Sequence, residues 1–419
     1  MRKLLLDKYR ILPAPPIITK GLEVELGSPP VGSNDYVDNL MLAAVSSNSV
    51  NYLVTNDQGI HRKAVRIGLK NRVLYPSVAL ATINALLPQG VLPPPSVRLT
   101  YCHELNKEDP IFSSLRADYS GFDGWLDKCQ LDHRQVFIVN SDGLHGAIAI
   151  LKDEGTSLNQ KVLKICTFKV AEHARGFKFG ELLLKAIFDF AIKNDFDQTY
   201  CTCFPKQHQL LELLDEFGFE PTESEPNGEI RAVKFLRPKD GADQLTPLEF
   251  HVKYGPRNIL PTDNIFLVPI EPKYHRLLFP ELETQVSFWN GETAFGNSIR
   301  KAYLCHSPTK MLSPGDLLLF YRSQDFRNIQ ALGVVESTIR TSSPLALMEY
   351  VGQRTVYSKA EIEELCQSEV LAILFRQVSL NVRITLDQLR SSGAVLSPPQ
   401  SITRIRKTAV PWIQKMLVQ

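Results

Sequence analysis

The stretch KVLKICTFKVAEHARGFKFGELLLKAIFDF, residues 161–190, decides the fold of the middle of the chain. Its first ten residues are dense in β-formers and alternate between two faces, which predicts a buried strand. The turn RGFKFG, residues 175–180, follows, and apolar residues then recur at the spacing of an amphipathic helix. N–H groups at a helix start favour a bound phosphate, and Arg175 and Lys178 add positive charge there. An ordinary strand–turn–helix connection is the alternative interpretation.

This stretch resembles motif A of the GNAT acetyltransferase family, Gln/Arg-x-x-Gly-x-Gly/Ala after a central strand. Arg175 and Gly180 occupy the first and last positions, whereas the fourth, usually glycine, is Lys178. The resemblance covers roughly residues 97–238. It implies a loop that grips the pyrophosphate of acetyl-CoA and a strand that opens away from its neighbour to admit the pantetheine arm. The cofactor-binding residues that it implies are Phe168, Val170, Arg175, Gly176, Phe177, Lys178, Phe179 and Gly180.

The catalytic groups are less complete than the cofactor loop. Acetyl transfer needs a base for the acceptor and a group that stabilises the oxyanion. The tyrosine usual in the family is replaced by Leu214, which weakens the prediction of an enzyme without removing it. Glu172 and His173, at the end of the central strand, are the candidate bases, although both are also typical of a surface beside a basic loop. The family pattern implies that the Val170 N–H meets the oxyanion.

Length and composition set broad limits. A chain of 419 residues predicts two to four domains of about 100–200 residues each, and 44% apolar content is ordinary for globular protein. The overall net charge of +2 is too small to indicate a nucleic-acid binder. The chain contains no run of 18 apolar residues, so the sequence predicts no membrane span. The seven scattered cysteines are typical of reduced thiols in a cytoplasmic protein.

The pattern of apolar residues and turn signals in residues 1–87 predicts helices that alternate with short strands. Such an alternation indicates a parallel sheet. They resemble the second half of a PIN ribonuclease domain, in which carboxylates hold Mg²⁺ or Mn²⁺ to activate water. Asp38 and Asp57 fall where that family has its later two metal ligands, with Asp35 nearby. The first strand of the family has no counterpart, so we expect a remnant or truncated domain that another chain could complete. Helix capping and turn formation explain Asp35 and Asp57 equally well.

The remaining chain contains two connections and a third domain. Residues 88–96 predict a stiff proline-rich linker, and residues 239–262 a connection interrupted by prolines. Residues 263–419 contain many short strands with helices between them, which predicts a small barrel. This region, with the run PGDLLLFYRS from Pro314, resembles ASCH and related PUA-like barrels, whose members are associated with RNA or modified bases. The nucleic-acid contacts that we expect are Arg300, Lys301, Tyr321 and Arg322, for which barrel packing is the alternative.

The predicted fold class is therefore α/β and α+β multidomain: a partial PIN-like α/β unit, a GNAT mixed-sheet domain and a PUA-like small β-barrel with helices. The predicted function is an acyl-CoA-dependent N-acetyltransferase directed to RNA or a ribonucleoprotein, with an antitoxin-like protein as a further partner. Fusions of this kind resemble toxin–antitoxin or stress-response proteins. The alternatives are a non-catalytic RNA-binding or regulatory scaffold with a GNAT fold and a PIN-type metal-dependent ribonuclease.

Overall fold

The structure is a computed structural model. It describes residues 16–79, 96–141, 143–157, 159–282, 292–294, 299–380 and 382–418. The chain forms two compact units, residues 1–87 and 88–419, and each is described by itself. The predicted proline-rich linker lies outside the described residues, except for Ser96, which begins a strand.

The first unit consists of short helices around a two-stranded sheet. Its elements are α1 (Lys20–Leu26), α2 (Asn34–Ser46), β1 (Leu53–Val54), α3 (Gln58–Arg66) and β2 (Val73–Leu74). The strands β1 and β2 pair in parallel, which confirms the predicted parallel sheet. Leu42, Ile60 and Val73 form the centre of its small apolar core. The Asp57 side chain caps α3 by accepting a hydrogen bond from the Ile60 N–H at 3.1 Å.

The second unit contains two β-sheets and ten described helices. Its strands are β3 (Ser96–Tyr101), β4 (Gln135–Ser141), β5 (Leu144–Ser157), β6 (Gln160–Val170), β7 (Gln198–Cys203), β8 (Glu220–Ser224), β9 (Ile230–Phe235), β10 (Ile265–Ile270), β11 (Glu292–Ala294), β12 (Arg300–Cys305), β13 (Leu317–Arg322), β14 (Asn328–Thr341), β15 (Val370–Val378), β16 (Ile384–Thr385) and β17 (Thr403–Arg404). Its helices are α4 (Ser113–Asp118), α5 (Phe122–Leu131), α6 (Phe179–Lys193), α7 (His208–Glu216), α8 (Pro247–Tyr254), α9 (Pro272–Leu278), α10 (Pro344–Val351), α11 (Lys359–Leu365), α12 (Leu386–Ser391) and α13 (Val410–Val418). The mixed α/β multidomain class predicted from the sequence is confirmed.

The first sheet of this unit has eight strands in the order β11-β3-β4-β5-β6-β7-β9-β8. Only β6 and β7 pair in parallel, because α6 crosses over between them. The apolar face of α6, which includes Leu183 and Ile187, is fully buried in the core of this sheet. The predicted strand, turn and helix over residues 161–190 are therefore confirmed, and they lie at the centre of the sheet.

The second sheet has seven strands in the order β12-β15-β14-β13-β10-β17, with β16 paired to β14. Nearly every residue of β13 and β15 is buried, since helices and loops cover both faces. The connection over residues 239–262 differs from its prediction. Pro247 does not interrupt it but starts α8, where a Thr246–Glu249 capping box holds the first turn.

Helix α6 also joins the two sheets of the second unit. The Lys185 amino group pairs with the Glu281 carboxylate and donates a hydrogen bond to Gln377 at 3.1 Å. One turn further along, Asp189 accepts a hydrogen bond from Ser379 at 2.9 Å. At the start of the helix, the Glu181 carboxylate accepts one from the Arg300 backbone N–H at 2.6 Å. The same helix is thus held by the eight-stranded sheet and by elements of the second sheet.

Candidate active site

Strands β6 and β7 separate part of the way along their length. They pair in parallel only from Val162 to Ile165, opposite Gln198 to Cys201. Beyond this point β6 stays paired with β5 on its other side, as far as Val170 opposite Ala147. The side of β6 that faces β7 therefore has no ladder partner over residues 166–170. A gap between two strands exposes backbone groups and side chains to a bound molecule, which an unbroken ladder does not.

A cavity of about 460 Å³ opens where the two strands separate. Both strands line it, β6 with Cys166, Thr167 and Phe168 and β7 with Cys201 and Thr202. Further residues of the lining come from α5, α7, the loop before α5 and the hairpin that joins β8 to β9: Tyr119, Phe122, Trp125, Gln207, Leu210, Asn227 and Glu229. A cleft with an apolar wall and a few converging polar groups is the usual form of a small-molecule site.

Glu229 is the buried carboxylate of this cavity. Its residue is 7% exposed, and its Oε1 accepts a hydrogen bond from the Tyr119 hydroxyl at 2.8 Å. Its Oε2 accepts a second from the Asn227 amide at 3.0 Å. Burial raises the pKa of Tyr119, and the hydrogen bond to Glu229 raises it further, so the tyrosine stays a donor at neutral pH. An oriented carboxylate without a cationic partner can bind an ammonium group and accept a proton from it.

The sequence alone did not identify this pair. Tyr119 precedes α5, and Glu229 lies 110 residues later in a hairpin. The local signal at residue 229 is that of a turn, Asn227-Gly228, followed by an acidic residue. Only the tertiary fold brings the hydroxyl and the carboxylate into one cleft.

The turn between β6 and α6 leaves several backbone N–H groups without a backbone partner among the described residues. Residue Lys178 precedes the helix with φ at 60°, in the left-handed region. The structure gives no hydrogen-bond acceptor to the backbone N–H groups of residues 176–181 within the described part of the chain. Together with the helix dipole, such N–H groups form an anion site. The side chain of Phe179 does not face this anion site, because it packs against Gly146 of β5.

Gly180 and the Val170 N–H are the two backbone features that flank this turn. A Cβ on Gly180 would meet the end of the Leu213 side chain at 2.8 Å, so a larger residue here would require that side chain to move. The Ala171 N–H donates to Gly146 on β5 at 2.9 Å. Because successive N–H groups of an extended chain point to opposite sides, the Val170 N–H faces the gap beside β7. The resemblance implied that this N–H meets an oxyanion there, and that role stays a prediction.

The charge of Lys178 is suppressed by its surroundings. Burial of its amino group, and secondarily the charge of Arg354, lower the pKa of Lys178 to about 7. Arg354 follows α10 in the second sheet's domain, and its Nε is buried with no hydrogen-bond partner. Arg175 is partly exposed, and its guanidinium lies 3.8 Å from the Glu172 carboxylate. The turn therefore lies among cations, which include Arg175 and Arg354, and among carboxylates, which include Glu172 and Glu181.

The predicted bases lie outside this cavity. Glu172 and His173 form a short 3₁₀ turn after β6, and both are exposed. The Glu172 side chain is 87% exposed and contacts Arg175, which matches the alternative interpretation of a surface beside a basic loop. The eight predicted cofactor-binding residues, by contrast, lie together at the open end of the gap. Their roles remain predictions.

The four predicted nucleic-acid contacts are not on the surface, and this corrects the sequence-based expectation. Lys301 is 2% exposed and donates to the Leu278 carbonyl at 2.6 Å, and Tyr321 is 2% exposed. Arg322 is also 2% exposed and pairs with Asp325 at 2.7 Å. Arg300 pairs with Glu336 at 2.8 Å. Basic residues on buried strands were taken for surface residues because the pairing that compensates their charge is not visible in the sequence.

The carboxylates of the first unit already have partners. The Lys63 amino group lies 2.8 Å from Asp35 and 3.6 Å from Asp38, so a cation occupies the space between them. Asp57 caps α3. Within the described residues, no three His, Cys, Asp or Glu side chains are arranged to hold a metal ion. Metal binding at Asp38 and Asp57, and the PIN resemblance itself, stay predictions without structural support.

The comparison with known families agrees with the geometry of the second unit. Residues 99–219, which include β6, the turn and the whole of α6, match the model of the Acetyltransferase (GNAT) family. These residues form a GNAT acetyltransferase domain. The family uses acetyl-CoA as its cofactor. The match to the family ends at residue 219, before Glu229. The hairpin that completes the cavity is therefore known only from the structure.

Solved structures resemble separate parts of the chain. An ASCH protein from Zymomonas mobilis is 15% identical, with 37% of this chain and 96% of that chain covered and a TM-score of 0.29. A GNAT family acetyltransferase from Elizabethkingia anophelis with acetyl-CoA bound is 15% identical, with 33% and 98% covered and a TM-score of 0.26. An IAA acetyltransferase from Bacillus cereus is 16% identical, with 34% and 100% covered and a TM-score of 0.27. At these scores the similarities carry no argument about function. No curated protein matches the chain.

The GNAT domain fits acetyl-CoA in two independent respects. The N–H groups of residues 176–181, at the start of α6, suit a pyrophosphate. The stretch of β6 that has no partner on the β7 side, residues 166–170, begins at the cavity and ends just before that turn. No helix in the described part of the chain has the length and hydropathy needed to cross a membrane.

Proposed function

We propose that the chain is an acyl-CoA-dependent N-acetyltransferase whose acceptor amine binds at Glu229. The observation that carries the proposal is the separation of β6 from β7 after Ile165 and Cys201, with the cavity that opens there. When bound, acetyl-CoA supplies the acyl group as a thioester. The turn over residues 176–181 holds its phosphates, and the strand gap directs its reactive end toward the cavity.

The residues of the cavity supply the remaining chemistry. Glu229 Oε1 and Oε2 are kept in place by Tyr119 and Asn227, so one oxygen can accept a proton from the acceptor ammonium. The Val170 N–H is oriented toward a developing oxyanion. Leu115, Phe122 and Trp125 limit the access of water and thereby strengthen these polar contacts. Positioning and one proton transfer are sufficient for acyl transfer from a reactive thioester.

Calorimetry and a thiol-release assay test this function. We expect acetyl-CoA to bind at tens of micromolar or tighter, and Arg175→Glu to weaken binding about tenfold or more, since it reverses a charge at the phosphate turn. Glu229→Gln should lower kcat/KM about 10²-fold while the Kd for acetyl-CoA stays unchanged, because only the proton acceptor is lost. Glu223→Gln, an exposed position on the same hairpin, is the matched control. Binding without turnover would favour the non-catalytic scaffold, and no binding would reject the transferase.

We further propose that the target is RNA or an RNA-associated molecule, delivered by the domain over residues 263–419. The ASCH resemblance and three exposed basic residues near the end of the chain, Arg406, Lys407 and Lys415, support this proposal. They replace the four buried residues as candidate contacts. RNA binding should weaken with added salt, and charge reversal at Arg406 and Lys407 should reduce both the affinity and the salt slope. An unchanged affinity would reject this surface. The antitoxin-like partner and the stress-response setting are proposals that rest on the domain combination alone.

A further inference from the structure

One wall of the cavity is basic, and the mechanism above does not use it. Lys128 of α5, Arg134 before β4, Lys152 of β5 and Lys164 of β6 all line the cavity. They come from four separate segments of the chain, so only the fold brings them together. Glu229 lines the same cavity but is bound by Tyr119 and Asn227 rather than by any of these cations.

The cations on this wall outnumber the carboxylates that neutralise them. Arg134 pairs with Asp132 at 2.9 Å, and Lys152 pairs with Glu154 at 3.4 Å. Glu154 is shared, since it also accepts a hydrogen bond from the Tyr200 hydroxyl at 2.8 Å.

Lys128 and Lys164 form no ion pair with a carboxylate among the residues that the structure describes. The Lys164 amino group lies over the Tyr200 ring, 5.4 Å from its centroid. Four cations against two carboxylates leave a positive wall, which attracts an anion in a cleft more strongly than on an open surface.

This wall is too far from the turn before α6 to serve the phosphates of acetyl-CoA. Lys164 precedes the end of β6 at Val170 by six residues, which is about 20 Å of extended strand at ~3.3 Å per residue. The phosphate turn begins beyond Val170. The positive wall therefore lies at the end of the cavity away from that turn, beside the stretch where β6 and β7 are still paired.

We infer that the acceptor is an amine that carries an acidic group, and that Lys128, Arg134, Lys152 and Lys164 bind this group. The inference rests on the proposed function and narrows its substrate class. The ammonium end binds Glu229 and the acidic end binds the basic wall. During transfer the acceptor nitrogen gives one proton to Glu229 and one to the departing thiolate, while a new N–C bond replaces the C–S bond of the thioester.

Matched small amines test the inference on the full-length chain. O-phosphoethanolamine carries a phosphate, β-alanine a carboxylate, and ethanolamine neither. We expect kcat/KM for at least one acidic amine to exceed that for ethanolamine about tenfold or more, and the better of the two acids identifies the source of the charge. Calorimetry without acetyl-CoA provides a second readout, in which the same acidic amine should bind and ethanolamine should not.

Variants locate the effect on the wall. Lys164→Gln and Lys128→Gln should each reduce the preference for the acidic amine several-fold, and Lys164→Glu should abolish it. Lys193→Gln, an exposed lysine at the end of α6 outside the cavity, should change nothing. Equal kcat/KM for all three amines in the wild type, unaltered preference in the lysine variants, or no binding of either acid would overturn the inference. If acetyl-CoA itself neither binds nor reacts, the proposed function fails, which is a distinct result.

Discussion

Lys178 shows how a single residue departs from its family without changing the backbone. The GNAT pattern has glycine at this position, and the structure keeps the left-handed φ of 60° that glycine would adopt without cost. A lysine in this conformation is strained, and its amino group is also partly stripped of solvent. The departure therefore preserves the shape of the phosphate turn and lowers the stability of the protein.

Substitution at Lys178 separates these two costs. Lys178→Ala removes the buried amino group but keeps the strain, whereas Lys178→Gly removes both. The αL strain of about 1–2 kcal/mol is partly offset by the greater entropy of glycine in the unfolded chain, about 0.4–1 kcal/mol. We expect Lys178→Gly to be more stable than Lys178→Ala by about 0.5–1 kcal/mol in urea unfolding. An alanine variant that is equally stable would show that the backbone at residue 178 is not strained.

His251 predicts the response of the protein to acid. It is 3% exposed, its Nδ1 lies 3.0 Å from the Asn258 carbonyl, and burial lowers its pKa to about 4. Between pH 6.5 and 4 the unfolded chain binds a proton at this histidine that the folded chain does not. The free energy of unfolding should therefore keep its full value above pH 6.5. It should fall as the pH drops toward 4, by about 1.4 kcal/mol per pH unit. Urea midpoints against pH measure this slope, which His251→Gln should remove.

Several residues show what the sequence could predict and what it could not. The strand, turn and helix at residues 161–190 follow from local periodicity, whereas phosphate binding at the turn stays a prediction. Glu229 and Tyr119 were missed because their contact depends on two distant segments meeting in the fold. The sequence placed Lys301 and Arg322 on the surface wrongly. A basic residue on a strand indicates an exposed position unless the partner that would stabilise it in the interior is known. Here the partners are a helix-end carbonyl and an aspartate.

Helix α6 is the element on which both sheets of the second unit depend. It carries the phosphate turn at its start, and its Lys185 reaches Glu281 beyond the GNAT domain. Burial alone would raise the pKa of Glu281, but Lys185 and Lys301 outweigh this effect and lower it to about 2. Glu281 is therefore ionised at any ordinary pH, and loss of Lys185 would remove its nearest cation.

A double-mutant cycle measures this contact. Lys185→Met removes the nearest cation from a buried carboxylate and should lower the free energy of unfolding by up to about 3–5 kcal/mol, less any share that Lys301 and Gln377 retain. Combining it with Glu281→Gln should cost clearly less than the sum of the two single changes. The exposed pair Lys273–Glu361 is the control, because its disruption by Lys273→Met should cost less than about 1 kcal/mol. Additive losses at Lys185 and Glu281 would show that the two groups do not interact.

The second unit as a whole combines a GNAT domain with a second sheet that shares its central helix. Its residues form one compact unit from Pro88 to Gln419, although the sequence predicted two domains with a connection between them. The connection is itself structured, since Phe250 and Tyr254 of α8 are buried. This arrangement predicts that the two sheets lose their structure together.

Calorimetry of a fragment from residue 88 to residue 419 tests this prediction. We expect a single transition whose calorimetric and van't Hoff enthalpies agree, because the contacts of α6 couple the two sheets. Lys185→Met should shift the whole transition to lower temperature. Two resolved transitions, with only one of them shifted by this substitution, would show that the sheets unfold separately.

The short strand β11 has a consequence for any attempt to express the GNAT domain alone. Glu292–Ala294 pairs antiparallel with β3 at the outer border of the eight-stranded sheet, although this strand comes from the chain beyond the GNAT match. A protein cut before residue 263 would lose it, and the border of β3 would present bare N–H and C=O groups to other molecules. Such a border recruits a strand from a neighbouring copy. The isolated domain should therefore self-associate and precipitate, a behaviour that would be mistaken for misfolding.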